Sequence, residues 1–327
     1  MPARAGSTLD SQLPQRRNAG RSLPKRRAQR HGVAVKDRYD RLIGYLFLTP
    51  SAVLVCLLVF VPFAAVLVES FQRIQTGDLT GPFVAFDNFK WAITSSFFRH
   101  AFVTSLIYVF GGVALELVIG IPAALLLNKD FKLRAWARAL VIFPYLLPTI
   151  VAVIVFRFMF HDLIGVVNYL LVKVGVIDAP ITWLGDPTRA MVTAIMVSGW
   201  KFFPFVVIAL LAVLQSIPTD IYEAAAVDGA GPVQRFTRIT LPHLMPVILL
   251  TALLRTIWNF DKFDIIFMMT GGGPADATTT VPVAIYRTAF DDFQLGRAGA
   301  IGVLLFMTLL LLMALYSFLM RRAESKF

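Results

Sequence analysis

Several ionisable side chains lie inside long apolar segments of this sequence, and they are its first candidates for a functional site. The clearest are Glu116, Lys201, Arg255, Asp261, Lys262 and Asp264. A charged group in apolar surroundings costs free energy, so it marks a solute site, a proton pathway or an ion pair. At helical spacing Asp261 and Asp264 would share one face of a helix. The alternative for these two aspartates, Arg255 and Lys262 is a set of salt bridges at a helix end.

Glu116 lies in the middle of its apolar segment, within Leu115-Glu116-Leu117. One interpretation is a proton relay, and the other is an interhelical hydrogen bond or salt bridge. No second acid or histidine accompanies Glu116 in the sequence, so the second interpretation is favoured. The sequence alone does not identify its partner.

Motifs for catalysis are absent from the sequence. There is no G-x-x-x-x-G-K-[ST] phosphate loop, and the glycine run Gly271–Gly273 is not followed by a lysine. A nucleophile elbow and a metal-binding helix are also missing. Cys56 is the only cysteine, which excludes an intrachain disulfide. The four histidines are scattered: His31, His100, His161 and His243. We therefore expect no catalytic residue and no metal site in this chain.

The amino-acid composition indicates whether the protein folds in water or in a lipid bilayer. Of the 327 residues, 57% are hydrophobic and 16% are charged, with a mean hydropathy of +0.71. A soluble domain carries about 25% charged residues and could not hide this much apolar surface from water. The composition excludes a cytosolic enzyme and predicts a membrane protein.

Six apolar segments are each long enough to cross about 30 Å of hydrocarbon as a helix. They cover about 43–69, 101–127, 138–160, 190–215, 243–269 and 297–320. Such runs are too long for barrel strands, so we expect an all-α membrane protein with six transmembrane helices. Prolines inside these segments predict kinks: Pro50, Pro62, Pro122, Pro144, Pro148 and Pro204.

The distribution of positive charge predicts both termini in the cytoplasm. With the amino terminus inside, the inner segments hold twenty Lys and Arg, counting Arg138, and the outer loops hold eight, counting Arg157. Eleven of the twenty lie in residues 1–41, which we predict to be a disordered basic arm near anionic lipid. Because this arm leads directly into a span, a nucleic-acid-binding tail is not expected. Residues 42–320 form the membrane domain, and 321–327 a cytoplasmic tail.

The predicted cytoplasmic loop, residues 216–242, has the pattern of two short helices at a bend. Pro218 suits a first helical turn, and Ala224–Ala226 are strong helix formers with little bulk. Gly229 and Gly231 permit a left-handed turn between the helices.

The second helix of this loop would open at Pro232, and we expect Pro242 to stop it before the fifth apolar segment. A short helix of small residues is suited to a groove on another protein. The alternative is a surface helix with no partner.

The motifs of this loop resemble the EAA loop of binding-protein-dependent ABC importer permeases. The matching residues are Glu223-Ala224-Ala225, Asp228-Gly229-Ala230, Phe236, Ile239 and Leu241-Pro242. In that family the loop docks into ATPase subunits. The resemblance therefore assigns the ATPase contact to Glu223, Ala224, Ala225, Asp228 and Gly229.

Other motifs narrow the resemblance to sugar permeases of the maltose and glycerol-phosphate type, over about residues 42–320. They are Phe143-Pro144-Tyr145-Leu146-Leu147-Pro148-Thr149, Trp258 to Asp264, Thr270 to Pro274, Tyr286 and Ala289-Phe290. The resemblance implies the type I ABC importer permease architecture in the cell (inner) membrane.

Resemblance to the maltose type also implies a solute site in the middle of the membrane. Its residues would be Tyr145, Thr149, Lys201, Phe202, Phe260, Asp261 and Asp264. Sugars stack on aromatic rings and bond to amides and carboxylates, and the segment from Trp258 to Asp261 supplies both kinds of group. Lys201 and Phe202 stand where the family has an aliphatic and a small residue, and Asp261 replaces an amide.

We therefore expect a non-catalytic permease subunit of an ATP-driven importer for a sugar or oligosaccharide resembling maltose or trehalose. The resemblance implies three kinds of partner besides lipid: a second permease subunit forming a heterodimer, two ATPase subunits that hold ATP and Mg, and an external solute-binding protein. No cofactor is expected in this chain. The outer loops near Asn88 and from Gly271 to Phe290 would dock the binding protein.

Three alternatives stay open. A glycerol-3-phosphate or polyol importer would need basic groups in the membrane, and Lys201 and Arg255 could serve. A stand-alone secondary transporter would work without ATP or partners. A membrane-embedded enzyme would need a nucleophile or metal constellation, which the sequence lacks.

Overall fold

The computed structural model describes residues 45–324, with side chains as far as Phe318. The predicted basic arm (1–41) and the end of the predicted tail (325–327) lie outside the described residues. Among the described residues the only β pairing is a single antiparallel bridge between Gln72 and Phe83. The fold is therefore built from helices, as the composition predicts.

Twelve helices organise the described part of the chain. They are α1 (Tyr45–Glu69), α2 (Asp87–Thr94), α3 (Ser96–Asn128), α4 (Arg134–Leu146), α5 (Thr149–Met159), α6 (Val166–Lys173), α7 (Pro187–Leu214), α8 (Thr219–Val227), α9 (Pro232–Phe260), α10 (Asp264–Thr270), α11 (Val281–Tyr286) and α12 (Leu295–Glu324). The chain divides into two units, Met1–Pro62 and Phe63–Phe327. The described part of the first unit is the start of α1, and the second unit holds the remaining helices.

Five of these helices are long and apolar enough to cross a membrane: α1, α3, α7, α9 and α12. The pair α4 and α5 makes a sixth crossing if its two helices count as one span. The six predicted apolar segments are therefore helical, and the all-α prediction is confirmed.

The third predicted segment, 138–160, is not a single straight helix. It divides into α4 and α5, whose axes differ by 95°. Pro148 has no N–H and disfavours helical backbone at the residue before it, and Leu147 is accordingly extended with ψ 139°. The prolines of this segment predicted a kink, but the sequence did not reveal its size.

The fifth predicted segment, 243–269, is also interrupted. Helix α9 ends at Phe260, and α10 begins at Asp264. The expectation that Asp261 and Asp264 share a helical face is therefore wrong, because the three residues 261–263 between the helices are not helical. Asp264 lies in the first turn of α10, where a carboxylate suits the positive end of the helix dipole.

The loop of residues 216–242 contains one short helix rather than two. Helix α8 ends before Gly229, whose φ of +77° makes the turn, whereas Gly231 has φ −70° and is not left-handed. Pro232 then opens α9 at its first turn, as expected. This helix runs on through Pro242 to the middle of the fold, so the prediction that Pro242 stops it is wrong.

A π-helical turn explains how α9 continues through Pro242. In Phe236–Thr240 the ladder shifts by one residue, and the N–H of Leu241 donates to the carbonyl of Phe236. The wider turn accommodates a residue that lacks an N–H and would crowd the preceding carbonyl. The same arrangement occurs in α1, where the π-helical turn Cys56–Phe60 precedes Pro62 by one residue.

Helices α3 and α7 form the centre of the second unit, and glycines let them approach closely. A Cβ on Gly120 would stand 2.8 Å from Cβ of Val206, and one on Gly199 would stand 2.5 Å from a methyl carbon of Leu115. Association of helices in lipid relies on van der Waals packing, so small residues at the contact are favourable. Helix α9 packs against both α3 and α7, which completes a three-helix core.

Asn88 fastens the segment after α1 to α2. It is buried, and its Nδ2 donates to the carbonyls of Ser70 at 2.9 Å and Gln72 at 2.8 Å. We expected the region of Asn88 to offer a docking surface, but this side chain is an internal tie.

Substituting Gly120 with alanine tests the close contact of α3 and α7. Gly120→Ala should destabilise the protein by about 1–3 kcal/mol because the new methyl overlaps Val206. Gly302→Ala is the matched control, since its Cβ would lie 4.0 Å from the nearest side-chain atom and alanine favours helix. The check is the Tm of the detergent-solubilised protein, and equal Tm values for the two variants would contradict the contact.

Candidate functional site

A buried ion pair joins α3 to α9 in the middle of the fold. The guanidinium of Arg255 donates to both carboxylate oxygens of Glu116, from Nε at 2.6 Å and from Nη2 at 2.8 Å. The two side chains are 2% and 0% exposed. The preferred interpretation of Glu116, an interhelical bond rather than a proton relay, is confirmed, and Arg255 is the partner that the sequence did not identify.

Asn259 completes the hydrogen bonding of this pair. Its Oδ1 accepts a second bond from Nη2 of Arg255 at 2.8 Å, and its Nδ2 donates to Glu116 at 3.3 Å. Asn259 is one helical turn from Arg255 on α9, so both side chains face α3. The amide that we expected to be available to a sugar is therefore engaged inside the protein.

Gly112 of α3 makes room for this network. A Cβ at position 112 would stand 3.1 Å from Nδ2 of Asn259. Ions in a low-dielectric interior are stable only with close geometry and satisfied hydrogen bonds. The bidentate contact between Arg255 and Glu116, together with the Asn259 amide, provides both. The network is a structural tie between two spans.

The ring of Phe202 on α7 lies beside three cationic groups. The guanidinium carbon of Arg255 is 4.3 Å from the ring centroid, Nζ of Lys262 is 4.7 Å away, and Nζ of Lys201 is 5.4 Å away. Cations near an aromatic face are attracted by its quadrupole. Phe202 thus connects α7 to the buried ion pair and to the break after α9.

Three aromatic side chains form a strip at the surface beside Phe202, which we call the aromatic strip: Tyr145, Phe205 and Trp258. Ring centroids lie 6.4 Å apart between Tyr145 and Phe205 and 5.0 Å apart between Phe205 and Trp258. Tyr145 and Trp258 are exposed. Three helices, α4, α7 and α9, therefore present one continuous aromatic surface.

Phe205 of this strip was not among the residues predicted from the sequence. The spacing of the two phenylalanines could have predicted it, because Phe205 lies three residues after Phe202 and such residues are neighbours on a helix surface.

The seven predicted solute residues divide into two groups. Tyr145 and Asp261 are exposed, and Thr149 and Asp264 are half-buried. The other three are buried within this chain: Lys201, Phe202 and Phe260. Phe260 belongs to the apolar core around Tyr108 and Ile265. The exposed and half-buried residues lie at or near the two helix breaks, after Leu146 and after Phe260.

The predicted ATPase contact lies on α8 and the turn that follows it. Glu223, Ala224, Asp228 and Gly229 are exposed, and Ala225 is half-buried. This helix is held to α9 by a 2.9 Å hydrogen bond between the hydroxyls of Tyr222 and Thr240.

Comparison with known proteins decides the family. The family described as the binding-protein-dependent transport system inner membrane component matches residues 116–327. The chain belongs to this family. It is therefore a permease, a multi-pass protein of the cell membrane.

Individual relatives cover most of this permease. It is 36% identical to the trehalose/maltose transport system permease protein MalF of Thermococcus litoralis, over 82% of this chain and 90% of that one. It is 34% identical to the sulfoquinovosyl glycerol transport system permease protein SmoG of Agrobacterium fabrum, over 88% and 93%. A bacterial alginate ABC transporter, crystallised with an alginate-bound periplasmic protein, has a chain of the same fold with a TM-score of 0.78 and 24% identity, over 88% of this chain and 96% of that one.

A double-mutant cycle tests the buried ion pair of this permease. Glu116→Leu or Arg255→Met alone should each destabilise the protein by about 3–5 kcal/mol, because each leaves one buried charge without a partner. The double variant should be more stable than either single variant. Thermal unfolding in detergent measures this coupling, and losses that simply add would contradict it.

The control for this cycle is the surface pair between Arg134 and Asp130, in which the carboxylate of Asp130 is exposed. Asp130→Ala should change the Tm little, since water screens an exposed ion pair.

Proposed function

We propose that this permease is a membrane subunit of an ATP-driven importer for a sugar or oligosaccharide of the trehalose and maltose kind. The observation that carries the proposal is the exposed aromatic strip beside Asp261, placed where two spans are interrupted. Relatives named for transport of trehalose/maltose, sulfoquinovosyl glycerol and diacetylchitobiose support a carbohydrate as the solute.

The chemistry of the strip fits a sugar ring. Sugars have an apolar face that packs on aromatic side chains, and hydroxyls that donate to carboxylates. Tyr145 and Trp258 offer the first kind of contact, and Asp261 offers the second. We infer that Thr149 and Asp264 border the same path, and that Phe202 and Phe260 support it from behind.

A phosphorylated solute is less well served by this site. The guanidinium of Arg255 is occupied by Glu116, and the ammonium of Lys201 is bound to the carbonyl of Leu147. The two cations that a glycerol-phosphate importer would use are therefore engaged within the chain. Neither of these two cations is free to bind a phosphate group, which counts against the glycerol-3-phosphate alternative.

In the proposed mechanism two ATPase subunits bind ATP and Mg and close on each other, and α8 with Gly229 docks into them. A second permease chain would complete the solute path as a heterodimer, and an external solute-binding protein would deliver the sugar. Both termini would then lie in the cytoplasm. Helix α9 runs without interruption from the docking turn to Phe260, so it could carry the movement to the site.

Asp261→Ala tests the solute site. It should raise the KM for labelled trehalose or maltose roughly tenfold or more, because a charge-assisted hydrogen bond is lost. Uptake is measured in proteoliposomes that hold the whole transporter, with binding protein outside and ATP inside. Asp178→Ala, at an exposed aspartate in another loop, is the control. Unchanged uptake kinetics would remove Asp261 from the site, and uptake without ATP or partners would favour a secondary transporter.

Gly229→Arg tests the docking turn. The chain should still reach the membrane, but ATPase subunits should no longer co-purify and uptake should be lost, because a bulky charge fills the exposed turn. Position 229 has φ +77°, so any side chain strains it. Gly229→Asn controls for this, since asparagine tolerates that conformation and is small. Persistent uptake with bound ATPase in the arginine variant would contradict the assignment.

A further inference from the structure

The buried ammonium group of Lys201 lies at the break between α4 and α5. Lys201 of α7 is 3% exposed, and its Nζ lies 2.5 Å from the carbonyl oxygen of Leu147. No ion pair of Lys201 occurs within residues 45–318. A lysine in the middle of a span is costly, so its one short hydrogen bond points to its role.

The carbonyl of Leu147 needs a donor because of the proline that follows it. Pro148 keeps Leu147 out of the helical conformation, so the carbonyl of Leu147 belongs to the hydrogen-bond ladder of neither helix. The carbonyl therefore lies between the last turn of α4 and the first turn of α5. In hydrocarbon an unpaired carbonyl is costly, because no water is there to replace the lost hydrogen bond. Lys201 supplies the donor, and its charge also suits the negative end of the α4 dipole.

Tyr145 lies close to the bend and packs against α7. Tyr145 lies two residues before Leu147, and its ring is 6.3 Å from that of Phe202 and 6.4 Å from that of Phe205. Both partners belong to α7, as does Lys201. A change in how Leu147 is held to α7 therefore acts two residues from Tyr145.

We infer that Lys201 is a positioning residue. Its ammonium fastens the carbonyl of Leu147 to α7, holds the bend between α4 and α5, and so keeps Tyr145 in the aromatic strip. This assigns Lys201 a different role from the solute contact that the sequence predicted. The effect on the bend is independent of the proposed function, and only the consequence for solute rests on it.

The charged neighbours of Lys201 offer a matched control. Lys262 also lies beside the ring of Phe202, at 4.7 Å, but it comes from the break after α9 and makes no bond to Leu147. Arg255 faces the same ring and is paired with Glu116, and Asp264 opens α10 nearby in sequence. Removing the charge of Lys262 changes the local electrostatics and leaves the bond to Leu147 in place.

The experiment measures the bend directly in the assembled transporter without solute. Spin labels are placed at Leu140→Cys on α4 and Phe158→Cys on α5, both at exposed positions, in a Cys56→Ser chain. These positions are eighteen residues apart, so a straight helix would separate them by about 27 Å and a right-angled pair by about 18 Å. Pulsed electron paramagnetic resonance reports the distance distribution.

Lys201→Met should shift the distribution of label-to-label distances to larger values by several ångström, up to about 9 Å, or broaden it. Lys201→Arg keeps a donor and should restore the short distance, and Lys262→Met should match the parent chain. An unchanged distribution in Lys201→Met, or an equal change in Lys262→Met, would overturn the inference.

If Lys201→Met does not assemble, Lys201→Gln replaces it. Glutamine keeps a polar group at this buried position, but its side chain is one atom too short to keep the 2.5 Å contact with the carbonyl of Leu147. The same increase in the label-to-label distance is therefore expected. Failure of the Asp261 uptake test with an intact Lys201 effect would leave the positioning role standing and remove only the proposed solute site.

Discussion

The fold depends on a bidentate ion pair, Glu116 with Arg255, in a region where no water can serve either charge. The pair is stable only if its helices stay in register, because displacement would leave two buried charges unpaired. It ties α3 to α9, and Phe202 extends the tie to α7 by lying against the guanidinium. Glycines at 112, 120 and 199 permit the close approach that this geometry requires.

The breaks in the two interrupted spans lie beside this ion pair, and both leave backbone hydrogen-bonding groups without partners in their own helices. Each break exposes backbone groups at a depth where they have no solvent, so each needs a local solution. At the first break Lys201 bonds to the carbonyl of Leu147. At the second, the turn closes through the N–H of Lys262 and the carbonyl of Asn259, and Asp264 opens the next helix. Irregular backbone in a membrane is typical of the surfaces that line a solute path.

The continuous helix α9 links the turn at Gly229 to the aromatic strip. It begins at Pro232, beside the turn of Gly229, and it ends at Phe260, beside the aromatic strip. A π-helical turn lets it pass Pro242 without breaking. In the proposed mechanism, because Arg255 anchors α9 near its far end, a displacement at the Gly229 turn would reach the aromatic strip as a tilt of the whole helix rather than as separate loop movements.

The sequence by itself determined the solvent, the helical class, the apolar segments and the loop motif, because hydropathy, helix length and local spacing are properties of neighbouring residues. It also indicated that Glu116 forms an interhelical bond. The partner Arg255 lies 139 residues away, and the role of Lys201 depends on a carbonyl 54 residues earlier. Only the tertiary structure decided these pairings, the 95° bend and the continuation through Pro242. The physical reason is that polar groups inside a membrane cannot bond to water. Each must find a partner within the protein, and which partner it finds depends on how distant segments pack.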